Sequence, residues 1–221
     1  MCGRFALETT ADYIKSKYRI EMLSEITPRF NIAPSQKVLV IMNTEEGIRA
    51  EHFQWGLVPF FAKDKVISPP LINARSETVA EKPAFRHALK SRRCLVIMSG
   101  FFEWLRIEDL KQPYYITMNN NDLLAVAGLW EQWQSKEGEV VYSCCMLTTE
   151  ANNFMSSLYH RMPVILNKEQ QALWLEHKEL DKKTLSHLVS PYQGDDLQLY
   201  PVTAQMNNWR FTERRAIERL P

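Results

Sequence analysis

The chain begins Met1-Cys2-Gly3-Arg4 and so carries a thiol next to its amino terminus. A small second residue such as cysteine generally allows removal of the initiator methionine, and we expect Met1 to be removed. Cys2 would then combine a free α-amine with a thiol, a pair with chemistry that neither group has alone. A chance thiol is the alternative interpretation, since chain termini are usually frayed and exposed to solvent.

The segment "GFFEWL" places a carboxyl group among large apolar residues. Period-2 alternation in a strand puts Phe102 and Trp104 on one face and Phe101, Glu103 and Leu105 on the other. Apolar surroundings disfavour the charged form of a carboxyl group and raise its pKa, which suits a general acid or base near neutral pH. A structural carboxylate paired with a nearby arginine is the alternative, and the pattern leaves both open.

Two further segments carry polar residues that could act on an anionic ligand. In "LINARSET", Asn73 and Arg75 share a face if the segment is extended, so that an amide and a guanidinium point the same way. In "YHRMP", a proline ends regular structure directly after His160 and Arg161. A guanidinium can bind a phosphate or a carboxylate by a bidentate contact. A structural role for His160 is the alternative.

The first third of the chain predicts one helix and one hairpin. Residues 9–23 have helical spacing of apolar residues after a threonine cap signal. Residues 37–43 and 48–55 are strand candidates joined by a glycine-containing loop. Residues 55–77 are irregular and contain three prolines, and their aromatic residues favour a functional loop over disorder.

The rest of the chain predicts a meandering sheet flanked by helices. Helical spacing lies on both sides of Pro83, and the later helices have Asn167 and Asp181 as caps. Short β-branched and aromatic runs predict strands at 92–98, 101–107, 112–119, 123–130, 140–147 and 197–203. Strict alternation of strands and helices is absent, so we predict a single α+β domain over residues 1–221, with a mainly antiparallel sheet or open β-barrel core.

The net charge of the chain does not indicate a nucleic-acid partner, but one local cluster of basic residues does. The 27 Lys and Arg residues nearly balance the 26 Asp and Glu residues. A cluster between residues 75 and 93 is the candidate phosphate-binding surface. Its members are Arg75, Lys82, Arg86, Lys90, Arg92 and Arg93. The basic residues of the tail alternate with glutamates and favour a solvated helix face.

Composition predicts an intracellular protein without a metal or another cofactor. The four cysteines form no Cys-x-x-Cys pair, and adjacent Cys144 and Cys145 favour core positions on a strand. The longest apolar run, Cys94–Phe102, is far shorter than the ~20 residues of a membrane helix. The amino terminus has no apolar signal-peptide core, so we expect a cytoplasmic location.

Together, "MCGRF", "RFNIAPSQ", "WGLVP", "LINARSET", "GFFEW" and "RMPVIL" resemble the SOS-response-associated peptidase (SRAP) family. The motifs occur in family order from residue 2 to about Asn207, while the tail from residue 208 departs from the usual ending. The resemblance implies a protein that senses abasic sites in single-stranded DNA and becomes covalently attached to them. It implies a monomer that associates with the nucleoid when bound to DNA.

The resemblance also implies roles for particular residues. Cys2 would be the nucleophile, Asn73 would position it, and Glu103 would be an acid/base group. The family histidine corresponds to Tyr159, so His160, one residue later, is the predicted replacement. The expected DNA contacts are Gly3, Arg4, Asn31, Arg75, Thr148 and Arg161, with Arg86 from the basic cluster and with Phe60 and Phe61 as an aromatic wedge. Core positions are the alternative for the two phenylalanines.

The expected product is a thiazolidine crosslink between Cys2 and the open-chain aldehyde of an abasic site. Two other activities stay open at this point. A thiol peptidase or amidohydrolase with an amino-terminal nucleophile would also need Cys2, and could remove its own Met1. A non-covalent reader of modified DNA bases would not need it.

Overall fold

Strands and short helices are interspersed along the chain in the computed structural model, which describes residues 2–108 and 110–221. The strands are β1 Phe5–Leu7, β2 Arg29–Ile32, β3 Lys37–Thr44, β4 Gly47–Trp55, β5 Asn73–Arg75, β6 Arg93–Met98, β7 Gly100–Ile107, β8 Leu110–Met118, β9 Leu124–Gln134, β10 Val140–Glu150, β11 Arg161–Pro163 and β12 Leu197–Pro201. The α-helices are α1 Ala11–Tyr18, α2 Pro83–Ser91, α3 Asn153–Ser156, α4 Lys168–Leu175 and α5 Lys182–Leu188. The predicted α+β class is confirmed.

The strands form two sheets, and one of them closes on itself. The first sheet has the order β12-β8-β7-β1-β2. In the second, the order β10-β4-β3-β6-β9 is closed by a pairing between β9 and β10, while β5 and β11 also pair with β10. The antiparallel core is therefore confirmed, with two differences. The barrel is closed rather than open, and β10 runs parallel to β4 and β5.

Strand β7 separates two hydrophobic clusters because both of its faces are covered. Phe101 packs in the main core inside the barrel, whereas Phe102 packs in a smaller cluster against residues of the carboxyl-terminal segment, including Val202 and Met206. The predicted alternation along "GFFEWL" is thus confirmed. Glu103 follows the face of Phe101, which explains how a carboxyl group is buried on this strand.

The predicted helix caps are confirmed, but some of the predicted helix boundaries are wrong. Thr10 caps α1 by accepting from the Tyr13 amide, and Asn167 and Asp181 cap α4 and α5 as predicted. Helix α1 ends earlier than residue 23 because Arg19 adopts a left-handed conformation with φ 56°. The segment before Pro83 forms turns, and helix α2 begins at that proline.

All helices in the described part of the chain are too short to span a bilayer. The longest α-helix, α2, has nine residues, against the ~20 that a transmembrane helix needs.

Two members of the predicted basic surface are instead structural. Arg93 is only 5% exposed and donates to main-chain carbonyls around the ends of helices α2 and α4. These carbonyls belong to Leu89, Lys90, Trp174, Glu176 and Lys178. Arg92 forms an ion pair with the buried Glu131. The prediction was wrong for both arginines, because helices α2 and α4 surround Arg93 with carbonyls and strand β9 brings Glu131 to Arg92.

Replacing Arg93 should therefore destabilise the fold, whereas replacing a surface arginine of the same cluster should not. We expect Arg93→Ala to lower the free energy of unfolding by about 3 kcal/mol, since it leaves buried carbonyls without a donor. The matched control Arg86→Ala removes an exposed guanidinium and should change it by less than about 0.5 kcal/mol. Urea denaturation measures both. Equal effects would contradict the structural role of Arg93.

Candidate functional site

The main chain of Cys2 is bound by a side chain from the other sheet. Cys2 precedes β1, which belongs to the first sheet, whereas Asn73 lies on β5 and pairs with Met146 of β10 in the second. The Asn73 Nδ2 atom donates to the Cys2 carbonyl oxygen over 3.0 Å. Strand β5 confirms that Asn73 and Arg75 lie in an extended segment. The candidate site therefore forms where the two sheets meet.

The Cys2 thiol is buried, contrary to the exposure that is usual at a terminus. The residue is 1% exposed, and its Sγ atom lies 3.7 Å from the Arg4 carbonyl oxygen. Burial and the negative charge of Glu103 both raise the pKa of the Cys2 thiol. The protonated thiol therefore predominates at neutral pH, and a base must accept its proton before it can attack. Met1 lies outside the described residues, so its removal stays a prediction.

Glu103 lies beside the Cys2 segment because β7 pairs with β1. Phe5 is opposite Phe101, and the Phe102 amide donates to the Arg4 carbonyl over 3.0 Å, so the same antiparallel direction brings Glu103 toward Gly3. Glu103 is 3% exposed. Burial raises the pKa of this carboxyl group, and a main-chain hydrogen bond at Trp104 opposes that rise. A raised pKa favours the protonated carboxyl group, which can act as a proton donor.

His160 and Tyr159 lie side by side, whereas extended backbone would separate them. A bend at His160 precedes β11, and the two ring centroids are 4.3 Å apart. Tyr159 is half-buried and His160 is exposed. Of the groups that lower the pKa of Glu103, His160 acts most weakly.

Arg75, His160 and Arg161 line one open cleft of about 450 Å³. Arg161 is buried, and its guanidinium contacts Glu77 at 2.5 and 3.0 Å and the Thr148 carbonyl at 2.7 Å. Its hydrogen bonds lower the pKa of Glu77. Arg75 is exposed at the same cleft. Arg161 is thus oriented by the protein itself, while Arg75 faces solvent.

Arg4 and Asn31, both predicted DNA contacts, bind the carboxyl-terminal segment. Arg4 Nη1 donates to the Asn31 side chain at 2.9 Å and to the Met206 carbonyl at 3.2 Å. The Asn31 amide donates to the carbonyls of Met206, Asn208 and Phe211 over 2.9–3.1 Å. Sequence reasoning missed this segment. The apolar residues within "MNNWRF" were the available signal for a docked rather than a free tail.

Phe60 and Phe61 are exposed at 49% and 54%, so the core alternative is wrong for both. Their rings meet edge to face at 5.3 Å, and the Phe60 ring lies 4.8 Å from that of His87. The Trp133 indole holds this loop by donating to the Ala62 carbonyl at 2.8 Å. The loop thus presents two adjacent aromatic rings to solvent on a fixed support.

The remaining predicted contacts differ in exposure. Arg86 is exposed on α2, Gly3 is half-buried, and Thr148 is fully buried with its carbonyl bound to Arg161. Their roles as DNA contacts stay predictions.

The other cysteines lie in the core, away from solvent. Cys94, Cys144 and Cys145 are free and buried, as the strand pattern predicted for the adjacent pair. Among the described residues, His, Cys, Asp and Glu form no group of three or more that could hold a metal ion.

Residues 1–209 match the model of the family described as SOS response associated peptidase (SRAP). The chain is 39% identical over 222 residues to the abasic site processing protein YoqW of Bacillus subtilis (strain 168), covering 99% of each. It is 31% identical over 188 residues to the abasic site processing protein HMCES of Rattus norvegicus, covering 71% of this chain and 53% of that protein. A solved protein of Bacteroides thetaiotaomicron has a TM-score of 0.86 at 24% identity, covering 100% of both chains, and supports the fold.

The buried Glu103 carboxyl group should reduce the stability of the folded protein at neutral pH. Its folded pKa is raised, so the folded state holds the proton more tightly than the unfolded state. Its contribution to stability is therefore lost as the pH rises above the ordinary glutamate pKa of about 4.3. We expect Glu103→Gln to have the higher melting temperature at pH 7, and this difference to shrink as the pH approaches 4.

Glu131→Gln is the matched control, because Glu131 is also buried and forms an ion pair with Arg92. Loss of the Glu131 carboxylate leaves Arg92 without its partner and should lower the melting temperature at pH 7. In a chain of this size, each kcal/mol of lost stability lowers the melting temperature by about 2 to 4 °C. Thermal unfolding at several pH values measures both variants. A destabilised Glu103→Gln at pH 7 would show that the carboxylate is structurally required.

Proposed function

The chain belongs to the SOS response associated peptidase (SRAP) family, and from this premise we propose that it captures abasic sites in single-stranded DNA by a covalent bond to Cys2. Relatives that match the chain over most of its length are named abasic site processing proteins. An open abasic site is an aldehyde, and an amino-terminal cysteine offers an amine and a thiol that both react with aldehydes.

The observation that carries this proposal is the hydrogen bond from Asn73 to the Cys2 carbonyl, made next to a buried carboxyl group. The bond fixes the main chain of Cys2 and therefore limits the positions that its amine and thiol can take. Holding reacting groups in place can make a ring closure fast, because little further entropy is lost in the transition state. Asn73 is thus a positioning residue for Cys2.

The first step is attack of the neutral Cys2 amine on the aldehyde carbon of the open abasic sugar. An α-amine with a pKa of about 7.7–8.0 is partly neutral at physiological pH. Nitrogen and carbon form a bond, and the intermediate carries a hydroxyl group on that carbon. Protonated Glu103 donates a proton to this hydroxyl, which leaves as water. A protonated imine results, in which the nitrogen keeps its hydrogen, and Glu103 is left as a carboxylate.

The second step is addition of the Cys2 sulfur to the imine carbon. The Glu103 carboxylate left by the first step accepts the thiol proton, and sulfur and carbon form a bond. The electron pair of the carbon–nitrogen double bond moves to the nitrogen, which keeps its hydrogen, so a neutral five-membered thiazolidine closes. The two steps together release one water and involve no oxidation or reduction. Burial keeps the thiol protonated until this carboxylate forms beside it.

Non-covalent binding would come from cations and aromatic rings that the chain presents to solvent. Arg75 and Arg86 are exposed and would contact phosphates, while Phe60 and Phe61 would stack on bases. Such contacts do not distinguish bases. We therefore expect little sequence preference and an affinity that falls strongly with salt.

A thiol peptidase is the competing function, because the family's description names a peptidase and the same Cys2 would be its nucleophile. That reaction requires donors that stabilise an oxyanion and a peptide substrate. Release of Met1 by the chain itself would be the simplest case.

Replacing Cys2 by alanine should abolish the stable crosslink and leave non-covalent binding nearly unchanged. Alanine also permits removal of Met1 and keeps the amine, but the imine has no thiol to trap it. The measurement is the shifted band that survives heat and detergent after incubation with abasic single-stranded DNA. Mass spectrometry of the same samples reports whether Met1 is present.

Cys94→Ala is the control, because it removes a buried thiol that the mechanism does not use. It should crosslink like the wild-type chain once it is folded. A full yield of crosslink from Cys2→Ala would exclude the thiazolidine mechanism. Wild-type protein that lacks Met1 and still forms no crosslink would exclude the proposed function.

His160, rather than Tyr159, should assist proton transfer in the site. It lines the same cleft as Arg75 and Arg161, so we expect His160→Ala to slow crosslinking by about 100-fold or more at unchanged DNA affinity. Tyr159→Phe keeps the ring that packs against His160 and should leave the rate nearly unchanged. Single-turnover kinetics measure both. The opposite ranking would assign the role to the Tyr159 hydroxyl.

A further inference from the structure

The segment Met206–Phe211 is anchored at both of its ends. Met206 is fully buried in the smaller hydrophobic cluster, and the Phe211 ring packs against the same cluster. Between them, the Asn208 carbonyl accepts from Asn31, and the Asn207 carbonyl accepts from Arg4 at 3.4 Å. A backbone held at this many points is ordered, although it lies near the end of the chain.

Trp104 adds a side-chain contact to the same segment. Its indole nitrogen donates to the Asn207 Oδ1 atom at 2.6 Å, and Lys111 lies over its ring at 4.8 Å. These contacts connect one cation, Lys111, and one aromatic residue, Trp104, to the segment that Arg4 also binds. Trp104 lies two residues after Phe102 on β7 and therefore on the same face of the strand. It packs against the same hydrophobic cluster, so the strand fixes its position.

Within this anchored segment, Trp209 is exposed to solvent. It is 50% exposed, and the Arg210 guanidinium lies 5.2 Å from its ring centroid. The Arg210 amide donates to the Asn208 side chain at 3.1 Å, which holds the turn that carries both residues. Tryptophan is enriched at interfaces, because it combines a large apolar ring with a polar N–H group.

The chemistry around Trp209 fits a nucleic acid strand. Residues 207–212 contain one cation and no carboxylate. A base can stack on the exposed indole face, and the neighbouring Arg210 favours a phosphate nearby. Arg4 contacts Asn207 on one side and is two residues from Cys2 on the other. A DNA strand bound at Cys2 and Arg4 would therefore meet Trp209 next on the Arg4 side.

We propose that Trp209, backed by Arg210, is a stacking site for a base that flanks the abasic site on the Arg4 side. The inference rests on the proposed function, since it takes the strand at Cys2 as its reference point. It extends that function by adding a contact from the carboxyl-terminal segment. The site would lengthen the single strand that the protein protects.

The test compares binding of undamaged oligothymidylate with crosslinking of a short abasic oligonucleotide. Trp209→Ala should weaken anisotropy-measured binding of a 20-nucleotide strand about 5- to 150-fold, the range expected from loss of one base stack. Trp209→Phe should keep most of the affinity, because it keeps a ring. Arg210→Ala should weaken binding about 2- to 5-fold. Crosslinking of an abasic trinucleotide should be unchanged in all three variants, because it is too short to reach Trp209.

Tyr142→Ala is the matched control, since Tyr142 is 44% exposed and lies six positions before Thr148 on β10, on the order of 20 Å away. It should bind like the wild-type chain. Trp209→Ala with wild-type affinity, or a loss equal to that of Tyr142→Ala, would overturn the inference. Absence of crosslinking by wild-type protein without Met1 would instead overturn the proposed function, while the binding comparison would still decide the stacking site.

Discussion

The hydrogen bond between the Asn73 amide and the Cys2 carbonyl is the contact on which the candidate site depends, because it joins the two sheets where they meet. Strand β1 has only three residues, and pairing with β2 and β7 fixes its direction. Cys2 lies just beyond that pairing. Without a partner from β5, its position would be set only by the chain that follows it.

Glu103 and Cys2 also constrain each other electrostatically. Both are buried, and the negative charge of the carboxylate raises the pKa of the thiol. Two negative charges in this low-dielectric region are strongly disfavoured, so the pair holds at least one proton near neutral pH. A site that keeps a proton available can serve as an acid in one step and as a base in the next. The cost is a buried carboxyl group that does not stabilise the fold at neutral pH.

Local patterns predicted the features that depend on neighbouring residues. Alternation along β7 gave the face of Glu103 correctly, because side chains in a strand alternate whatever surrounds them. The caps Thr10, Asn167 and Asp181 were also predictable, since each accepts from an amide three residues later.

Features that depend on distant residues were not predictable in this way. Arg93 and Arg86 are both basic residues near α2, yet only Arg93 meets the carbonyls that end helix α4. The bend that places Tyr159 beside His160 likewise follows from the pairing of β11 with β10. The role of Arg4 illustrates the same limit, because two of its partners, Met206 and Asn207, lie about 200 residues away in sequence. Its contacts to Asn31, Met206 and Asn207 use three of the five N–H donors of a guanidinium, and no acceptor among the described residues takes the other two. One arginine can therefore hold the carboxyl-terminal segment and still offer donors to a phosphate, which makes the segment part of the site's surroundings rather than a separate appendage.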